Sequence, residues 1–113
     1  MGVSGLKNSY IRFHNMIIPG ENLIGEEGQG VEILLNELDS ELVMVAAGAC
    51  GLAHHCIEIA AFHANKRIQF NCPIRMFEAV NFKIADMVIK LEAARSLTYH
   101  AAKIIDAGKK VIK

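Results

Sequence analysis

A chain of 113 residues is one domain or part of one. Twelve basic side chains balance twelve acidic ones, which excludes the electrostatic footprint of a protein that binds nucleic acid or an anionic membrane. A 52% hydrophobic content is high for so short a chain and fits a piece of a larger buried assembly, while three cysteines make no disulfide framework and point to a reducing, cytoplasmic setting.

In chain order, the first residues, Met1-Gly2-Val3-Ser4-Gly5-Leu6-Lys7, lack the apolar core of a signal peptide and the arginines of a transit peptide. Residues 1–19 read as extended. Tyr10, Ile11, Phe13, Met16, Ile17 and Ile18 are β-prone, and His14-Asn15 predicts a turn between two short strands that Pro19-Gly20 ends. A pair of strands is marginal in water, so these need a sheet to join. Residues 20–30 form a Gly-rich loop, with Glu26 and Glu27 where negative charge suits a helix N-terminus. The glycines do not follow G-x-G-x-x-G and no Lys-Ser/Thr follows them, so the loop reads as a lead-in to a helix rather than a phosphate cradle.

The stretch 27–66 predicts one long helix, with about 36 of its residues helical and spanning roughly 54 Å. Its middle, residues 42–53, carries no charge and no proline, with Val31, Ile33, Leu34, Leu35 and Leu38 before it and Ile57, Ile59 and Phe62 after. Apolar surface on all sides implies burial on all sides. The uncharged run is shorter than a membrane span, which needs about 20 such residues, and so is assigned to a protein core. Gly48 and Gly51 each weaken a helix interior by roughly 1 kcal/mol relative to Ala, which predicts a close-approaching backbone there. Lys66 and Arg67 place cations at the C-terminal dipole.

Residues 68–75 form a short connection containing Pro73, and a second helix is predicted over 76–107. Phe77, Val80, Ile84, Met87, Leu91, Ala94, Thr98, Ala101 and Ile105 recur at steps of three and four, the seam of an antiparallel helix pair. Phe82, Ala85, Ile89 and Leu97 make a second apolar face, Asp86 and Lys90 an i,i+4 ion pair, and Gly108 a C-cap followed by Lys109 and Lys110. The expected fold is mainly α: a long antiparallel two-helix hairpin, half of a four-helix bundle, preceded by a short extended/β segment. One hairpin cannot cover an all-round apolar helix and a second two-faced one, so self-association or partner chains are expected.

Three groups of residues have chemical potential. Cys50, His54, His55, Cys56 and His63 lie close in sequence, but His54 and Cys56 fall about 200° apart around a helix and do not converge as metal ligation requires, so no metal site is assigned. Glu41 precedes the uncharged run; it is either an exposed carboxylate or one at the mouth of an apolar pocket, poised to take a proton. Lys66-Arg67-Ile68-Gln69-Phe70 is either a charged helix end or a place where an arginine forks to phosphate beside an aromatic ring.

Taken together, several blocks in this chain resemble the acyl-CoA dehydrogenases, FAD-dependent enzymes that desaturate acyl-CoA thioesters. They are Phe13 with Pro19-Gly20-Glu21-Asn22-Leu23-Ile24-Gly25-Glu26-Glu27-Gly28-Gln29-Gly30, Leu38-Asp39, Ala46-Ala47-Gly48, Arg67-Ile68-Gln69-Phe70 with Pro73-Ile74, and the stretch from Phe77 to Met87. The resemblance runs from about Gly2 to Gly108 and covers under a third of a typical member. It implies that residues 1–24 are a remnant of the middle β-domain and residues 25–113 the C-terminal helical hairpin.

By the same resemblance, Arg67, Gln69 and Phe70, with Phe77 and Glu78, contact the FAD of a neighbouring subunit around its diphosphate. Members usually carry Gln where this chain has Glu78. Leu38-Asp39-Ser40-Glu41 is similar to the L-D-x-E-R block of the subset that includes isovaleryl-CoA dehydrogenases, which makes Glu41 the candidate base and places Asp39 and Glu41 at the acyl-CoA end of the site. Leu42 stands where that block has Arg. The implied reaction is α-proton abstraction by Glu and β-hydride transfer to flavin. The expectation is a partial acyl-CoA dehydrogenase, inactive alone, acting with separately encoded dehydrogenase domains as a homodimer or homotetramer on acyl-CoA, without nucleic acid or membrane. The alternative is a non-catalytic, self-associating helical module derived from that family.

Overall fold

A proline-free run of 37 residues forms one uninterrupted helix, α1 (Gly30–Lys66), in the computed structural model, which describes residues 5–109. The predicted extended segment begins, and Lys110 follows the second helix, outside those residues. The chain then turns through two short strands, β1 (Ile68–Gln69) and β2 (Cys72–Pro73), and a 3-10 turn (Ile74–Met76), before α2 (Glu78–Asp106) runs back along α1. The molecule measures 72 × 37 × 16 Å, a flat two-helix hairpin with an extended arm.

The seam read from periodicity is the one that packs. Phe77, Val80, Ile84, Met87, Leu91, Thr98, Ala101 and Ile105 all turn toward α1, and of that set only Ala94 is exposed. On α1 the inward line is Val43, Ala46, Cys50, Ile57, Ala60 and Ala64. Small side chains on α1 against large ones on α2 let the helices interlock. Yet among the described residues only Ala64 and Leu91 are buried. The second face of α2, with Phe82, Ile89 and Leu97, is open to solvent, as are Leu34, Leu35, Val45, Leu52, Ile59 and Phe62 of α1.

The chain exposes 10354 Å² of surface. A compact monomer of this size would expose about 6,100 Å², so the surplus is about 4,000 Å². Gly48 and Gly51 follow the same logic: the close approach expected there is not made within this hairpin. A Cβ at either would meet nothing within 4 Å, so no backbone of this hairpin approaches them. By length and composition α1 could also cross a membrane. Core helices of soluble proteins pass the same test, and Glu32, Glu37, Asp39, Glu41 and Glu58 lie along this one.

The termini of the helices show why they begin and end where they do. The Gln29 side chain accepts a hydrogen bond from the Glu26 N–H (3.0 Å), closing the Gly-rich loop onto the start of α1. Gly25 sits at φ 73, where a Cβ would lie 2.8 Å from Ile33 Cδ1. At the far end of α2, Gly108 (φ 69) donates to the Ile105 carbonyl (2.8 Å) and Lys109 to that of Ile104 (3.1 Å), the paired bonds of a Schellman cap. The Asp86–Lys90 pair forms at 2.6 Å on the exposed side.

The β structure is not where the β-prone residues predict it. Residues 7–14 carry no regular secondary structure and Asn15 turns at φ 44, no ladder joins the two halves, and Tyr10, Ile11, Phe13 and Ile17 are exposed. The only strands among the described residues are β1 and β2, inside the predicted connection, paired antiparallel as Ile68↔Pro73 and Gln69↔Cys72.

Candidate functional site

The hairpin tip collects five of the candidate residues. α1 ends where the Arg67 N–H bonds the His63 carbonyl (2.8 Å) and the Arg67 carbonyl accepts from the Ile74 N–H (2.9 Å). That second bond closes the tip into a loop. Arg67 and Gln69, two apart along an extended chain, share one side of it. Both are exposed, and the Arg67 guanidinium has no carboxylate or other partner among the described residues. Phe70 projects from the turn with 87% of its surface open. Its ring meets that of Phe77 edge-on, centroids 6.0 Å apart. Glu78 opens α2 in its first turn, exposed. A free guanidinium beside an amide and an outward aromatic ring can take an anion and a flat ring together. The Glu78 carboxylate opposes an anion, although the N-terminus of α2 behind it attracts one.

The other two candidates lie elsewhere. Asp39 is half-buried and Glu41 exposed, both early in α1. Glu41 is 26 residues before Arg67 on an essentially continuous helix, which is about 39 Å. The two groups are too far apart to line one small-molecule pocket within a single copy. Sequence reasoning also passed over the grooves flanking the seam. One, about 450 Å³, is lined almost wholly by apolar atoms from Ala46, Ala49, Ala53, Met87, Leu91 and Ala94. The opposite one, about 290 Å³, includes Gly51, His54, Arg95, Thr98 and Tyr99, and the Cys50 thiol lies 3.8 Å from the Thr98 hydroxyl. The periodicity that revealed the seam implies such flanks; their polar members carry no spacing signal. His54 and His55 both face Glu58 at 3.5 and 3.4 Å, and among the described residues no three metal-ligating side chains converge.

Comparison with known proteins accounts for this shape. The family profile for the acyl-CoA dehydrogenase C-terminal domain matches residues 28–113. The cyclohex-1-ene-1-carbonyl-CoA dehydrogenase of Geobacter metallireducens is 43% identical over 110 residues, which is 97% of this chain and 29% of that enzyme. The mitochondrial isovaleryl-CoA dehydrogenase of Oryza sativa subsp. japonica is 38% identical over 96% of this chain and 27% of its own. Among solved structures, butyryl-CoA dehydrogenase from Megasphaera elsdenii superposes with a TM-score of 0.79 at 41% identity, over 81% of this chain and 24% of that one. The chain thus spans less than a third of the length of these relatives.

Proposed function

The chain belongs to the acyl-CoA dehydrogenase family, matching its C-terminal domain, and from that premise we propose that it is a partial dehydrogenase whose hairpin tip helps hold FAD at its diphosphate. The observation that carries the proposal is the tip itself: an unpartnered Arg67, with Gln69 and Phe70 exposed beside it and Phe77 behind. Arg67 would fork to the phosphate oxygens, Gln69 would donate an amide hydrogen bond, and Phe70 would pack on a flat portion of the cofactor. FAD, when bound, would accept the hydride of an acyl-CoA desaturation. Glu41 is the candidate base, and Asp39, two residues earlier and about 200° around α1, is the other candidate for the acyl-CoA end. Because Glu41 and the tip are so far apart in one copy, the site is read as shared between copies in a homodimer or homotetramer, with residues 1–24 belonging to a β-domain. A soluble, cytoplasmic setting accords with the balanced charge and free thiols.

Arg67, Gln69 and Phe70 stand exposed at the tip rather than enclosing a flavin ring, so the chain alone is expected to touch FAD weakly and to catalyse nothing. Purified chain with FAD, a panel of acyl-CoAs and an artificial electron acceptor should give no rate above background. Reproducible, protein-dependent reduction of the acceptor contradicts the partial-enzyme reading.

Glu78 gives a second expected outcome. Its charge opposes the diphosphate, so Glu78→Gln should tighten FAD binding in an assembled site, read by flavin fluorescence titration. Unchanged or weaker binding would show that Glu78 stands clear of the phosphates. The second reading, a non-catalytic self-associating module, draws on the surplus apolar surface alone. Yellow protein with flavin absorbance, once assembled, separates the dehydrogenase reading from it.

A further inference from the structure

The two residues at the centre of the β1–β2 connection both have positive φ, Phe70 at 51 and Asn71 at 64. With Gln69 and Cys72 paired across them, this is a two-residue hairpin of the I′ kind, which requires that backbone at both central positions. Phenylalanine is a poor residue for it, since a bulky side chain there is a genuine outlier. Asparagine is among the few non-glycine residues that tolerate it. Asn71 is therefore the residue whose intrinsic preference favours this turn, with the Cys72 thiol donating to the Gln69 carbonyl (3.6 Å) as a weak brace.

The turn type matters because the strands are only two residues long. One residue more or fewer in the loop would exchange the faces of β1. Arg67 and Gln69 would stay on one side but present it differently to β2, and Phe70 would leave the edge of Phe77. We infer that Asn71 is a positioning residue: by holding the I′ turn it keeps Phe70 against Phe77, at the end of the strand that carries Arg67 and Gln69, for the cofactor. The inference rests on the cofactor reading above.

Three forms of the full-length, isotope-labelled chain test it: wild type, Asn71→Gly and Asn71→Val, each titrated with FAD to millimolar concentration while the amide resonances of residues 67–78 are followed. Glycine accepts positive φ and a β-branched valine resists it. Wild type and Asn71→Gly should show the same shifts at the same FAD concentration, and Asn71→Val should need about tenfold more. The helical unfolding of all three should coincide, because the tip is exposed. Equal binding by Asn71→Val and wild type overturns the positioning role. So does equal weakening by Asn71→Gly and Asn71→Val, which would make the amide side chain itself the contact. No shift at the tip of the wild-type chain overturns the cofactor reading first, and this inference with it.

Discussion

At micromolar concentration the full chain should sediment as a dimer or tetramer, and Gly48→Leu should drive it toward monomer. Two copies together carry a surplus of about 8,000 Å², ample for the about 2,000–5,000 Å² that obligate interfaces bury on both partners together. The open surface lies where α2 cannot reach: the outer face of α1 through Leu34, Val45, Leu52 and Ile59, and the second face of α2 through Phe82, Ile89 and Leu97. Pairing two hairpins into a four-helix bundle is the simplest closed arrangement. Ala47, Gly48, Ala49 and Gly51 are small enough for another helix to come near. Gly48 is a clean probe because a Cβ there meets nothing within 4 Å. A side chain starting there meets no hairpin atom at its Cβ, and leucine improves intrinsic helix propensity by roughly 1 kcal/mol. Lost association therefore reports on the contact between copies. A helical wild-type monomer that unfolds cooperatively would sink the idea, since it would show that one hairpin is sufficient.

The second large effect is on the cofactor. In an assembled site, Arg67→Ala should weaken FAD affinity on the order of ten- to a hundredfold. A hydrogen bond between charged partners contributes about 1.5–3 kcal/mol, and each 1.4 kcal/mol is a factor of ten. Nothing in the described chain neutralises Arg67, so the substitution breaks no internal ion pair and its effect falls on the ligand. It also leaves the bonds from the Arg67 N–H to His63 and from Ile74 to the Arg67 carbonyl in place, because both use main-chain atoms. Unchanged affinity would reduce Arg67 to a charge that complements the dipole of α1.

Most of this fold was legible because helices advertise themselves. α1 was read over 27–66 and spans Gly30–Lys66; α2 was read over 76–107 and spans Glu78–Asp106. The seam followed from spacing alone, and Gly108 ended α2 as its φ freedom predicts. One reading failed for a physical reason. Strands were expected around His14-Asn15 because Ile11, Phe13 and Ile17 favour the extended backbone, but a strand needs a partner for its amides and these residues supply none. The ladder that does form hides in a stretch where Pro73 discourages strands and Phe70 discourages a tight turn. The glycines of α1 meet no backbone of this hairpin, which leaves the close approach expected there to a neighbouring copy. The separation of Glu41 from Arg67 follows from helix length, yet it becomes a statement about the site only once α1 is known to run almost unbroken between them.

The role proposed for residues 5–109 is a cofactor-holding edge in a dehydrogenase assembled from more than this segment. Its most direct test replaces the matching segment of the Megasphaera elsdenii butyryl-CoA dehydrogenase with this chain and measures flavin absorbance of the purified hybrid. A folded hybrid that carries FAD, and loses it when Arg67 is replaced by alanine, is the expected result. A folded, oligomeric hybrid without flavin absorbance would contradict the account, because the hairpin would then supply association without the cofactor edge.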